Sequence, residues 1–397
     1  MKKRIIFVDD EPNVLQGLKR MLRPMRKEWE MTFAESGPNA LEIMATQPFD
    51  VIVSDMRMPG MDGAELLSRV MTQFPDTVRI ILSGQAEKEA MLRSIGPSHQ
   101  YLSKPCDAET LKQTVLRASN LREILSGDRL SFVSQMKNLP SLPEIYMELV
   151  DELKSDDPSL QFISRLIEKD MGMASKILQL VNSAYFGVRR HVSNIGLAVS
   201  MLGLENVRSL VLFTNIFSNV KIDKSKVNIS LENVWKHSGA VGRISRDICK
   251  HEKLDKQTLE NAMSAGLLHD CGIIVLAANV EKEYGEVIKL SNQKDIPLHE
   301  AELEVLGSTH AEVGAYLLGL WGLPDELVAA VAYHHNPQES LRQEMCTITA
   351  VHVANVIDKE ITDPDINHRD KLLDTDYLDS IGVLDRLETW KELITND

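Results

Sequence analysis

In the first third of this chain, hydrophobic runs end on residues that can bind a cation or a phosphoryl group, and this placement narrows the folds open to it. Ile5-Ile6-Phe7-Val8 runs into Asp9-Asp10, Val51-Ile52-Val53-Ser54 into Asp55, Ile80-Ile81-Leu82 into Ser83, and Tyr101-Leu102-Ser103 into Lys104, just before Pro105. Short apolar runs separated by amphipathic helical patterns are the βαβ sign of a parallel sheet. Candidate strands are residues 4–8, 30–34, 50–54, 79–82 and 100–102, so five strands with five helices predict a doubly wound, flavodoxin-like α/β unit. Open sheets of that kind build their sites beyond the carboxyl ends of the strands, which is where these residues fall.

The residue types suit one chemistry. Mg²⁺ takes oxygen ligands in octahedral geometry, typically one or two carboxylates with waters and phosphate oxygens. Asp9 and Asp10 supply that charge, and Asp55 is both ligand and nucleophile, because carboxylates can form aspartyl-phosphates. Ser83 and Lys104 hold phosphoryl oxygens, the lysine as a point charge.

These motifs resemble a known family. Residues 1–120 are similar to the receiver domain of two-component response regulators, through Asp55-Met56-Arg57-Met58-Pro59-Gly60-Met61-Asp62-Gly63 and Tyr101-Leu102-Ser103-Lys104-Pro105. The resemblance implies that a sensor histidine kinase phosphorylates Asp55. It also implies that Asp9, Asp10 and Asp55 bind Mg²⁺ with the backbone carbonyl of Arg57, and that Ser83 and Tyr101 are the hydroxyl and aromatic switch positions.

The remaining residues have a different character. Residues 1–125 carry 17 basic and 17 acidic groups, so the other 27 basic and 41 acidic residues make the whole net charge of −14. Nucleic-acid affinity depends on neutralising phosphates, so an acidic second part with no helix-turn-helix signature argues against direct nucleic-acid binding. The most hydrophobic run, Leu210 to Phe217, is too short to span a membrane. The basic amino terminus meets Asp9-Asp10-Glu11 too early for a signal peptide. Cys106, Cys249, Cys271 and Cys346 form no CxxC pair, which fits reduced thiols in a cytoplasmic protein.

From Leu130 onward nearly every segment reads as helix. Ser126-Gly127-Asp128 breaks the preceding helix, which places a linker at 121–130, and residues 159–182 carry apolar positions close to a 3.6 period. Within this all-α part, His237, His269-Asp270, His310 and His334-His335 fall on apolar helical faces, where bundles build metal sites. Imidazole with carboxylate suits a transition metal. Buried polar groups need partners, so such a cluster is hydrogen-bonded, protonated or metallated. The remaining histidines read as loop or exposed positions, or are hard to place.

Leu139-Pro140-Ser141-Leu142-Pro143, Val181-Asn182-Ser183-Ala184-Tyr185-Phe186-Gly187, Ala198 to Gly203, Gly266 to Gly272 and Trp321-Gly322-Leu323-Pro324 are together similar to the HDOD domain. That domain is a relative of the HD phosphohydrolases, and the match covers about 131–340, with 341–397 expected as a helical extension packed on it. The resemblance places His237, His269, Asp270, His310, His334 and His335 at ligand-type positions. Two departures count against catalysis: Asn355 stands where a late Asp is expected, with Asp358 one turn on, and Asn336-Pro337-Gln338-Glu339 replaces the Gly-Tyr-Pro loop. The expectation is a response regulator whose non-catalytic HDOD output acts by altered domain docking, binding of a downstream protein, or homodimerisation. The competing expectation is a receiver-regulated, metal-dependent phosphodiesterase acting on a cyclic dinucleotide or nucleotide.

Overall fold

A computed structural model of the chain describes residues 2–84, 100–104, parts of 109–116 and 146–152, and 158–395 apart from 170, 182–191, 193, 220–221, 223–225, 322, 341 and 363–371. The linker expected at 121–130 and the motifs at 139–143 and 182–187 lie outside the described residues. Two compact units divide the chain: Met1–Ser141 with Tyr316–Leu323, and Leu142–Ala315 with Pro324–Asp397.

The first unit is the expected doubly wound sheet. Its strands are β1 (Lys3–Val8), β2 (Trp29–Ala34), β3 (Val51–Asp55), β4 (Val78–Gly84) and β5 (Gln100–Lys104), all parallel, in the order β2-β1-β3-β4-β5. Ile5, Ile6, Phe7 and Val8 are almost wholly buried, as are Val51, Ile52 and Val53, because helices cover both faces of a parallel sheet. The strand order reverses between β1 and β3, and the crevice at such a reversal is where these sheets bind ligands. Asp9 follows β1 and Asp55 ends β3, so the topology itself brings the two acids together. Three helices are described in full here, Pro12–Met21, Gly37–Thr46 and Gly63–Gln73. The Ser36 and Asp62 side chains accept from Asn39 N and Glu65 N at the second and third helix starts, caps worth about 1 kcal/mol each.

The second unit is helical among its described residues. The period over 159–182 is carried by two helices, Leu160–Glu168 and Met171–Val181, and the chain turns at Lys169, whose N–H bonds back to Arg165 O and Leu166 O. Periodicity survives the break because Ile163, Leu166, Ile167, Ile177 and Val181 all remain buried. The core is built on three long helices, Leu231–His251, Lys256–Leu268 and Thr347–Thr362. Thr347–Asp358 is buried throughout, so the sequence beyond residue 340 supplies core as well as cover.

One expectation needs correcting. The helical stretch Lys256–Asn279 contains a window with mean hydropathy 1.4, long and apolar enough by composition to cross a membrane, and 94% of it is buried. In sequence the polar pair His269-Asp270 interrupts this run. In the structure the chain turns there, and the two halves are core helices of this unit.

A polar clasp fastens the last helix. Glu252 Oε1 accepts from Trp390 Nε1 at 2.9 Å, and Arg386 pairs with the other oxygen. Burial would raise the Glu252 carboxyl, but the bonds from Trp390, His251 and Arg386 hold it below its ordinary value. A carboxyl depressed in the fold contributes stability above its ordinary pKa and loses it as pH falls through the depressed value. Glu252→Gln is therefore expected to lower stability at neutral pH by about 1–3 kcal/mol, with the difference shrinking on acidification. Thermal melts of both proteins across that range check this, and equal melting temperatures at neutral pH would count against the clasp.

Candidate functional site

The sheet and the helical bundle each assemble a cluster of the anticipated residues. In the first, Asp9 is 2% exposed, and its Oδ1 accepts from Glu11 N at 3.0 Å. Lys104 Nζ donates to Asp9 Oδ2 at 3.0 Å and also pairs with Asp55. The other Asp55 oxygen accepts from Arg57 N at 3.0 Å. Asp10 is half-buried beside Asp9 in sequence. The register sets Tyr101 opposite Ile81, and Ser83 one residue beyond Leu82, the partner of Asp55. For these two the backbone alone is described.

Burial raises the Asp55 carboxyl, and the Asp9 charge adds to it, against the pull of Lys104. Burial works to lower Lys104, but its bonds to Asp55 and Asp9 prevail and hold the ammonium above its ordinary value. A buried acid, Asp9, and a half-buried one, Asp55, share one ammonium, and that donor set fits a hard divalent cation.

The Met56–Asp62 loop shows why its residue types are needed. Met56, Met58 and Met61 are buried beneath it, Gly60 takes φ +80°, and Gly63 N bonds to Met56 O at 2.9 Å. A Cβ on Gly63 would lie 2.2 Å from Asp55 O, so only glycine lets the next helix start against the end of β3.

In the helical unit all six anticipated residues converge, brought together by glycines at helix crossings. A Cβ on Gly266 would lie 2.6 Å from Gly242 Cα, so Leu231–His251 and Lys256–Leu268 touch there and set His237 beside His269. A Cβ on Gly272 would lie 2.0 Å from His310 O, which is how His310–Leu320 reaches the His269-Asp270 turn. Gly272→Ala is expected to destabilise the fold by about 1–3 kcal/mol through overpacking and to move His310 away from Asp270. Thermal melts and metal analysis check this, and unchanged values for both would refute it.

The polar geometry is specific. His269 Nδ1–H donates to Gly266 O and His334 Nδ1–H to Val331 O, each at 2.7 Å. This fixes both tautomers and leaves each Nε2 as a lone pair. Those atoms lie 3.2 and 3.8 Å from Asp270 Oδ1, and all three are buried without a hydrogen-bond partner. His310 Nε2 is 3.3 Å from the same oxygen, and His335 Nε2 is 3.0 Å from His310 Nε2. Asp270 Oδ2 lies 3.6 Å from His237 Nε2.

Burial lowers His269 and takes His334 and His335 well below the ordinary imidazole value, so protonation is disfavoured at all three, whereas burial is outweighed at His310, which Glu302 and Asp270 raise to about 9. Lone pairs turned toward a buried carboxylate repel one another, and a cation among them removes the conflict. Two ligand groups fit this test, His237 with His269 and Asp270, and His310 with His334 and His335.

Further side chains meet the cluster, and Asn355 and Asp358 among them are positions that the sequence singles out. Asp358 bonds to His237 Nδ1 at 2.6 Å, while Asn355 Oδ1 lies 3.0 Å from His237 Nε2. Beside the cluster, His299 stacks on His335, with ring centroids 3.9 Å apart. His352, 1% exposed, donates to His334 O and accepts from Asp374 N. In sequence both read as loop or hard-to-place histidines. Glu302, fully buried, had a legible signal: Leu298, Ala301, Glu302 and Val305 share one helical face, so the acid sits on an apolar stripe.

One chain thus carries an Asp/Lys cluster at the strand ends of a doubly wound sheet and a His/Asp cluster in a helical unit. The chain belongs to the HDOD family: the HDOD domain matches residues 139–337, and a response regulator receiver domain matches residues 5–116.

Several proteins are similar to parts of the chain. An uncharacterized protein of Treponema pallidum is 24% identical over 226 residues, 57% of this chain and 43% of its own length. The hydrogenase transcriptional regulatory protein HoxA of Cupriavidus necator is 33% identical over 126 residues, 31% of this chain and 25% of its own length. The chain thus spans less than half the length of these curated relatives. Among solved structures, an HDOD domain protein from Geobacter sulfurreducens has TM-score 0.52 at 22% identity, covering 72% of this chain and 93% of that one. A protein of Shewanella amazonensis, provisionally named a phosphohydrolase, has TM-score 0.51 at 21% identity over 67% and 93%. Both share the fold.

Proposed function

We propose that this protein is a response regulator phosphorylated on Asp55 by a histidine kinase, and that its helical unit is a metal-holding, non-catalytic output. The observation that carries the input half is the Lys104 ammonium bonded to both Asp9 and Asp55 at the ends of β1 and β3. Asp9, Asp10, Asp55 and the Arg57 carbonyl would hold Mg²⁺, which neutralises charge as a phosphoryl group approaches. Ser83 and Lys104 would receive phosphoryl oxygens, and Tyr101 would respond to the change. Phosphorylation adds charge and acceptor oxygens, which shifts a balance between two packings and so changes self-association or partner binding.

Burial supports a non-catalytic output. His269, His310 and His334 are at most 2% exposed and Asp270 is 5% exposed, whereas metal-assisted hydrolysis needs open positions for water and phosphate. Asn355 faces the cluster in place of an acid, and the neighbouring carboxylate, Asp358, is engaged behind His237. Sedimentation tests the reading: wild type should change its association state or its binding of a downstream partner on phosphorylation, and Asp55→Asn should not. Identical behaviour of the two proteins on both counts would refute it.

The sharing of Asp270 between two ligand groups favours a second reading, a metal phosphohydrolase acting on a cyclic dinucleotide or nucleotide. Metal analysis with turnover assays of wild type and His269→Ala decides between them. Turnover that depends on His269 selects the enzyme.

A further inference from the structure

Behind the second ligand group lies a buried acid that no part of the proposed function uses. Glu302 is fully buried, and so is Tyr284. Glu302 Oε2 accepts two bonds from one residue, from His310 N and from His310 Nδ1–H, both at 2.7 Å. Its other oxygen accepts from the Tyr284 hydroxyl at 2.6 Å. The helices that supply these groups, Glu281–Lys294, Leu298–Leu306 and His310–Leu320, follow one another in the chain.

The arrangement has two consequences for His310. The bond from Nδ1–H to the carboxylate fixes the ring orientation, so Nε2 is the nitrogen that faces Asp270 and His335 and would carry the lone pair toward a bound cation. The carboxylate also places a negative charge directly behind the ring, which makes that nitrogen a stronger donor. His334 has only the carbonyl of Val331 behind it. The charge matters because His310, His334 and His335 contain no acid of their own. A divalent cation among three neutral imidazoles has only the shared Asp270 to offset its charge, and buried charge without compensation is costly.

We propose that Glu302, held by Tyr284, is a positioning and charge-balancing residue that makes the His310, His334 and His335 group a cation site, separate in strength from the site at His237, His269 and Asp270. The inference rests on the reading of the cluster as a metal centre. The cation it fits is a borderline transition metal, because the donors are imidazole nitrogens. Carboxylates that orient metal-bound histidines typically change metal affinity by about 10–100-fold when mutated.

The test is metal binding by the full-length chain. Apo protein prepared with chelator is titrated with Zn²⁺ by calorimetry, and bound metal is counted by elemental analysis after dialysis. Wild type is expected to bind two ions per chain. Glu302→Gln can keep hydrogen bonds to His310 and Tyr284 while losing the charge. It should weaken one ion by about 10–100-fold and leave the other unchanged. Tyr284→Phe, which removes only the phenol, should weaken the same ion by a smaller factor. His237→Ala should weaken the other ion instead, which assigns the two. The visible spectrum of the Co²⁺-loaded chain gives a second reading of which site has lost its ligands.

If wild type binds two ions and both Glu302→Gln and Tyr284→Phe retain them with unchanged affinities, the inference is overturned while the metal centre stands. Wild type that binds no transition metal overturns both. Should Glu302→Gln fail to fold, Tyr284→Phe carries the test by itself, and unchanged binding of both ions in that variant overturns the inference.

Discussion

Asp270→Asn is expected to abolish tight binding at both cation positions of the helical unit. This carboxylate alone, among the described residues, faces both groups. Its Oδ1 lies 3.2 Å from His269 Nε2 and 3.3 Å from His310 Nε2, and its Oδ2 lies 3.6 Å from His237 Nε2. Replacing it with an isosteric amide preserves volume and removes the one negative charge the imidazoles share. The clearest measurement is the rise in melting temperature on adding Zn²⁺. A ligand at 100 times its Kd stabilises the folded state by about 2.7 kcal/mol, and the variant should show none of that gain. An equal metal-dependent shift in the two proteins would sink the assignment.

The same substitution is also expected to weaken the metal-free fold. Burial would raise the Asp270 carboxyl, but His269 and His310 hold it well below its ordinary value, and a carboxyl depressed in the fold contributes stability at neutral pH. Metal-free Asp270→Asn should therefore melt below metal-free wild type, and an equal or higher melting temperature would count against this role for the carboxylate.

Asp55→Asn is expected to end phosphoryl uptake entirely. The reaction needs a carboxylate oxygen as nucleophile, and an amide oxygen of the same shape does not supply one. With an acyl phosphate donor and Mg²⁺, wild type should acquire a hydroxylamine-labile phosphate and the variant none. Lys104→Ala should keep the nucleophile and lose the donor that bonds both acids, which slows uptake by roughly 100-fold. Labelling that persists in Asp55→Asn would mean that another residue is the acceptor.

The two sites differ in how legible they are in the sequence. The acids and the lysine of the sheet were legible because a parallel strand is a short apolar run. Its carboxyl end is therefore visible in sequence as the first polar residue, as at Asp9 and Asp55. Strand ends moved by no more than two residues between the reading and the structure. In the helical unit, periodicity identified faces, and His237, His269, His310, His334 and His335 were found because imidazoles stood among apolar residues. The same rule would have found Glu302, on a face with Leu298 and Ala301. His352 escaped it, because Thr347–Asp358 is buried on every side and no polar face remains for contrast.

The sequence by itself determined the kind of protein: a doubly wound sheet with its acids at strand ends, then helices with histidines turned inward. It could do so because strand and helix periods are local, and burial prints them directly into the order of residues. The tertiary structure alone decided which of those inward groups meet. Contacts such as His237 with His269, or His310 with Asp270, depend on helix crossings at Gly242, Gly266, Gly272 and Gly314. A crossing is set by how closely two backbones approach, and a single helix carries no record of its partner. The tautomers followed from the same packing, because Gly266 O and Val331 O each claim one imidazole N–H and leave the opposite nitrogen facing Asp270.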